Sequence, residues 1–210
     1  MSKLILWDWD NTLVDTFGAI FAAQNDMCAF YNLPKWTLEE SRIAMSTSGR
    51  NLIKDIVGIE RAKEARAYYL ERYAAHAGEI KPLPGAADIL KYAKEKGFIG
   101  VLASNKAGDI LRNEVQALDL MNYFARTIGA EDTDNDKPSK EFTDAAIAGY
   151  APEVIISIGD GKADIQMARN YPGGIGILVG TDPTSKEFTE LKPNHACQNL
   201  TEVKTVLDTL

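Results

Sequence analysis

Apolar residues along this chain follow two rhythms. Short, mostly apolar runs at 4–9 (interrupted by Asp8), 98–103, 154–158 and 175–179 have the length and content of strands buried on both faces. Shorter apolar pieces around Ile128 and Ala196 mark two further strands. Between the runs the spacing changes to three and four. Ala86, Ile89, Leu90 and Ala93 line one helical face, and Gly97 stands where a stop signal belongs. Leu111, Val115 and Leu118 repeat the helical spacing, as do Val203, Val206, Leu207 and Leu210. Strands alternating with helices predict a parallel, doubly wound α/β sheet.

One stretch breaks the alternation. From 17 to 81 no strand pattern emerges, and the clearest piece, "RAKEARAYYLERYAAHA", sets Ala62, Ala65, Tyr69 and Tyr73 on one face. This is more chain than a simple crossover needs. It predicts an all-helical cap at 17–81, inserted into an α/β core built from 1–16 and 82–210 and rejoined near "KPLPG".

Composition narrows the function classes. The chain has 210 residues, 45% of them hydrophobic and 25% charged, as in an ordinary globular protein. Its net charge of -7 argues against broad electrostatic attraction to nucleic acid or an anionic membrane. An anionic substrate therefore needs a few local cations or a metal. No run approaches the roughly 18 apolar residues of a membrane span. Cys28 and Cys197 lie far apart and form no metal or redox motif, and no signal-peptide pattern opens the chain, so a cytoplasmic location is expected.

In open α/β sheets ligands bind beyond the carboxyl ends of the strands, so the polar residues that follow each apolar run are the informative ones. The first run is followed by Asp8, Asp10 and Thr12, and the second by Ser104, Asn105 and Lys106. "EDTDNDKPS" brings Lys137, and "IISIGDGKAD" brings Asp160 and Asp164. Such oxygens suit a hard cation such as Mg²⁺, which shares carboxylates with substrate phosphate. Asp8 can serve as a nucleophile and Asp10 can exchange a proton with the attacking or departing oxygen. Ser104 can donate to a phosphoryl oxygen, Lys137 can offset the charge there, and Asp160 can complete the metal shell.

Taken together, "DWDNT", Ser104 at a strand end, Lys137 in "DKPS" and "GDGKAD" resemble, in order, the four motifs of the haloacid dehalogenase superfamily. The resemblance covers nearly the whole chain and includes the helical cap after the first motif, as in phosphoglycolate-phosphatase-like members. It implies a Rossmann-like core and a small phosphorylated metabolite as substrate. Asp8 would form an aspartyl-phosphate, while Asp10 would protonate the leaving alcohol and then activate water. Mg²⁺ would be held by the Asp8 carboxylate, the Asp10 backbone carbonyl and Asp160, and Asp164 would orient Lys137 or metal-bound water. Thr12, Ser104, Asn105, Lys106 and Arg50 would bind the substrate, Arg50 from the cap segment "STSGR". The pattern departs from the family at Asn11, where glycine is usual, and at Trp7 and Trp9, where phenylalanines are usual. Asparagine tolerates left-handed backbone, so the turn is expected to survive.

Plainer readings stand beside these. Ser104 can cap a helix, Lys137 and Arg50 can be surface residues, and Asp164 can be a structural helix residue. His76 and His195 carry no partner pattern. The acidic loop at 132–136 lacks the glycine of a calcium loop and is expected to precede a helix starting near Pro138. Three rival functions also remain: a phosphomutase of the β-phosphoglucomutase type, a haloacid dehalogenase, and a silent binding protein. Asp10 argues against the dehalogenase, which lacks an acid two residues after its nucleophile. Oligomeric state is not legible.

Overall fold

Helical spacing between 17 and 76 becomes helix in the computed structural model, which describes residues 2–45 and 49–210. Asp15–Lys81 form one of two compact units. It contains α1 (Phe17–Phe30), α2 (Leu38–Ala44), α3 (Gly49–Val57) and α4 (Ile59–His76). Several of these helix boundaries have a local cause. After α1, Asn32 adopts a left-handed φ of 56°, and the Leu33 amide returns to the Cys28 carbonyl at 2.8 Å. Thr37 and Glu40 cap α2 reciprocally: the Thr37 hydroxyl accepts from the Glu40 amide at 3.2 Å, and the Glu40 carboxylate accepts from the Thr37 amide at 2.7 Å. Gly58, with φ of 80°, separates α3 from α4. Met27, Ile53 and Ala65 form the buried centre of this unit, ringed by Ile56, Tyr68 and Tyr69. Burying Met27 alone contributes about 1.5–3 kcal/mol.

The second unit, Met1–Val14 with Pro82–Leu210, holds the sheet. Its strands are β1 (Lys3–Trp7), β4 (Ile99–Ala107), β5 (Arg126–Ala130), β6 (Val154–Gly159), β7 (Ile175–Val179) and β8 (His195–Cys197). The two-residue strands β2 (Val14–Asp15) and β3 (Lys81–Pro82) pair with each other where the chain passes between the units. The sheet order is β5-β4-β1-β6-β7-β8, and every neighbouring pair is parallel. The doubly wound fold expected from the alternation is thus present, with β1 at the point where the winding reverses.

Helices α5 (Ala86–Glu95), α6 (Gly108–Ala117), α7 (Lys140–Ile147), α8 (Lys162–Ala168), α9 (Lys186–Leu191) and α10 (Leu200–Leu207) cover the sheet. Leu4, Ile5, Leu6 and Trp7 are all buried, as a strand covered on both faces requires. Leu4 and Leu6 pack with Val101, Ile128 and Ile155 beneath Phe142 and Ala146 of α7 and Met167 of α8.

Two boundaries differ from the apolar pattern. Instead of running to Trp9, β1 stops at Trp7, because the Trp9 carbonyl gathers the amides of Thr12, Leu13 and Val14 at 3.0–3.3 Å and closes a turn. Asn11 sits in that turn with φ of 58°, the left-handed conformation in which asparagine substitutes for glycine. Conversely, β4 continues past Ala103 to Ala107 with a register shift between those residues, so Ser104, Asn105 and Lys106 lie in an irregular strand end. Helix α7 begins at Lys140, two residues beyond Pro138, because the Ser139 hydroxyl caps it by accepting from the Phe142 amide at 3.1 Å.

Candidate active site

Parallel pairing brings the ends of β5, β4, β1 and β6 side by side, and the polar residues that follow them converge in the sheet unit. Lys137 is the hub. Its ammonium donates to Asp8 Oδ1 at 2.5 Å, Asp164 Oδ1 at 2.8 Å and the Ala103 carbonyl at 3.0 Å, which uses all three of its protons. Asp8, Lys137 and Asp164 are all buried. Carboxylate oxygens of Asp8, Asp160 and Asp164 lie within 4.8 Å of one another. With all three carboxylates ionised, one ammonium would leave two negative charges unmatched around buried Asp8 and Asp164.

That imbalance sets the titration of the group. Burial raises the Asp8 carboxyl to about 7; Lys137 opposes the rise, and Asp164 and Asp10 add to it. Burial also holds Asp160 well above the ordinary carboxylate range, with Asp8 and Asp164 repelling its charge. Burial of the Lys137 ammonium works against its charge, but Asp164 and Asp8 outweigh it and keep Lys137 above the usual lysine value.

Hydrogen bonds fix the parts. The Thr12 hydroxyl donates to Asp8 Oδ2 at 2.8 Å and accepts from the Asp160 amide at 3.0 Å, tying the turn after β1 to the end of β6. Asp164 Oδ2 accepts from the Gly161 amide at 3.1 Å. Gly159 has to be glycine: a Cβ there would stand 2.1 Å from Asp164 Cγ. The Thr181 hydroxyl donates to the Asp160 carbonyl at 2.8 Å. Asn105, read from sequence as a substrate ligand, spends its amide on the Lys137 main chain, donating to the carbonyl at 3.1 Å and accepting from the amide at 3.0 Å. Ser104 is buried and accepts from the Lys106 amide at 3.1 Å; α6 begins at Gly108, so Ser104 does not cap it.

The Asp10 carboxylate pairs with a second lysine. Its Oδ1 pairs with Lys106 Nζ at 2.8 Å. Lys106 also contacts Glu114 of α6 at 3.1–3.2 Å, and the Trp9 indole donates to the same carboxylate at 2.7 Å. Sequence reasoning passed over Thr181 and Glu114. Thr181 follows a strand end, the rule that found the others, and Glu114 lies on the apolar face of α6, three residues from Leu111. Of the segment 46–50, residues 46–48 and the side chain of Arg50 lie outside the described residues. Among the histidines, His76 pairs with Asp26 at 2.8 Å in the helical unit.

A model of the haloacid dehalogenase-like hydrolase family matches residues 5–173, most of the chain and every residue of the cluster. The chain belongs to the haloacid dehalogenase-like hydrolases. Among curated relatives, phosphoglycolate phosphatase 1 of Pseudomonas aeruginosa is 27% identical over 180 residues. That match covers 80% of this chain and 66% of the relative, just under two thirds of its length. Phosphoglycolate phosphatase of Caulobacter vibrioides is 28% identical over 197 residues, covering 89% of this chain and 83% of the relative. Among solved structures, a haloacid dehalogenase-like family hydrolase from Streptococcus pneumoniae superposes with a TM-score of 0.82 at 19% identity, covering 99% of this chain and 98% of that one. A hydrolase from Pseudomonas syringae gives 0.83 at 20% identity, covering 100% and 99%. At such identities the structures speak for the fold, and this dehalogenase-like hydrolase shares it end to end.

Proposed function

We propose that this hydrolase is a Mg²⁺-dependent phosphatase of small phosphomonoesters, with phosphoglycolate-like compounds as the favoured class. One observation carries the reading: buried Asp8 and Asp164 and half-buried Asp160 bring their oxygens within 4.8 Å of one another, and Lys137 pairs with Asp8 and Asp164, so the ionised cluster is two charges short of balance. A divalent cation restores that balance, and an all-oxygen donor set suits a hard one. Asp8, Asp160 and the Asp10 backbone carbonyl would hold the ion. It would neutralise charge on the phosphoryl group when bound.

The chain's own residues supply the rest. An Asp8 carboxylate oxygen attacks phosphorus, and the bond to the ester oxygen breaks. The proton on Asp10 passes to that departing oxygen, and an aspartyl-phosphate remains. Water then attacks the same phosphorus and gives a proton to Asp10, and the bond to Asp8 breaks to release inorganic phosphate and restore both carboxyl groups. Lys137 keeps Asp8 in position and offsets its charge, while Ser104 offers a hydroxyl to a phosphoryl oxygen. The curated relatives support a phosphomonoester as substrate. On this reading the helical unit is the cap that selects among such esters.

The test is a panel of phosphomonoesters that includes phosphoglycolate, assayed with Mg²⁺ and with EDTA. Phosphate release should require Mg²⁺ and disappear in Asp8→Asn, whose amide cannot act as the nucleophile. Full turnover in Asp8→Asn would overturn the proposal.

A further inference from the structure

We propose that Glu114 is a positioning residue for Asp10, acting through Lys106, and that the Trp9 indole holds Glu114 in place. The inference rests on Asp10 being the proton donor to the leaving alcohol. Four side chains form the device. Trp9 Nε1 donates to Glu114 Oε2 at 2.7 Å, Lys106 Nζ lies 3.1 Å from the same oxygen, and Lys106 Nζ lies 2.8 Å from Asp10 Oδ1. Trp9 is fully buried, and the Glu114 and Lys106 side chains are 8% and 6% exposed.

Stability gives little reason for this arrangement. Glu114 occupies the apolar face of α6 beside Leu111 and Val115, where replacing the buried Glu114–Lys106 pair as a whole by apolar side chains would be near neutral for stability. A buried ion pair is weak evidence for stability, but it is a good way to aim a charge. Lys106 stands on the irregular end of β4, where backbone geometry alone leaves a long side chain free to choose its direction. Glu114, on a regular helix and pinned by an indole, supplies the fixed end. The ammonium is thereby held where it meets Asp10, and the Asp10 carboxyl is oriented at the site. Trp9 lies between the two aspartates of "DWDNT", so the segment that carries the chemistry also anchors its own support.

Departure of an aliphatic alkoxide needs a proton, whereas departure of 4-nitrophenolate hardly does. A misaimed Asp10 therefore slows one reaction and spares the other. The experiment compares kcat/KM for an alkyl phosphate and for 4-nitrophenyl phosphate, with Mg²⁺, in the unmodified protein, Glu114→Gln and Trp9→Phe. In Glu114→Gln the alkyl ester should lose at least about tenfold, part of the roughly 10²–10⁴-fold that a positioned acid supplies, and the nitrophenyl ester under about threefold. Trp9→Phe should shift the ratio in the same direction by less, and it carries the test if Glu114→Gln does not fold. Equal losses on both esters, or none on the alkyl ester, would overturn the proposal while leaving the phosphatase reading intact. Inactivity of the unmodified protein on both esters would remove that reading and this inference together.

Discussion

Replacing Lys137 with methionine keeps the chain length and apolar stem of the side chain and deletes the ammonium that, among the described residues, is in direct contact with Asp8 and Asp164. What remains is a group of carboxylates, buried Asp8 and Asp164 with half-buried Asp160, whose oxygens lie within 4.8 Å of each other. Removing one partner of a buried ion pair costs about 3–5 kcal/mol. For a chain of this size each kcal/mol lowers the melting temperature by about 2–4 °C, so a fall of roughly 6–20 °C is expected at pH 8 without metal. The carboxyls can escape the penalty by taking up protons, as the upward displacement of Asp8 and Asp160 indicates. At pH 5 the difference between Lys137→Met and the unmodified protein should shrink to a few degrees. Mg²⁺ at pH 8 should recover part of the loss. Calorimetric melts at pH 5 and pH 8, each with EDTA or Mg²⁺, check this. A fall below about 2 °C at pH 8, or an equal fall at both pH values, would refute the claim that Lys137 works by charge.

Other outcomes follow from the same geometry. Without metal, the unmodified protein should lose stability as pH rises from about 4 to about 7. Asp8 and Asp160 titrate above their unfolded values, so the folded state binds more protons in that window; Mg²⁺ should flatten the slope, as thermal melts across pH will show. Asn11→Ala should cost about 1–2 kcal/mol in a denaturant melt while Asn11→Gly costs far less, because φ at 11 is 58°. Gly159→Ala should displace the Asp164 carboxylate and weaken Mg²⁺ binding measured by calorimetric titration, since the new Cβ falls 2.1 Å from Asp164 Cγ.

The apolar rhythm was enough to read the sheet because its strands are buried on both faces, and burial of that kind leaves unbroken runs such as 4–7 and 155–158. Strand ends were less legible. The stop at Trp7 depends on the turn that follows, and the extension of β4 to Ala107 depends on pairing with Ala130 across an irregularity. Neither cause leaves a mark in hydropathy. Asp8, Lys137, Asp160 and Asp164 were visible as charges after strand ends. Asn105 was visible too, yet its two bonds to the Lys137 main chain need the β4 and β5 ends to be adjacent, which sequence order does not reveal.

The two aspartates of the first motif are supported by a repeated design, and only half of it could be seen in advance. Lys137 bridges Asp8 to Asp164, and Lys106 bridges Asp10 to Glu114. In each pair a lysine meets the motif aspartate with one proton and a buried acid on a helix with another. Asp164 stands on α8 and Glu114 on α6, helices that follow β6 and β4, the two strands flanking β1. A central strand flanked by two parallel neighbours offers this on both sides: each neighbour's following helix starts near the end of β1 and can lend it an acid. The Asp164 side announces itself through "GDGKAD" at a strand end. The Glu114 side hides its acid in the second turn of a helix whose other inward residues are apolar, so periodicity reads it as an interruption of the core. An acidic residue on the buried stripe of a helix after a strand that ends at a site is therefore evidence for a lysine nearby, and here the lysine is Lys106.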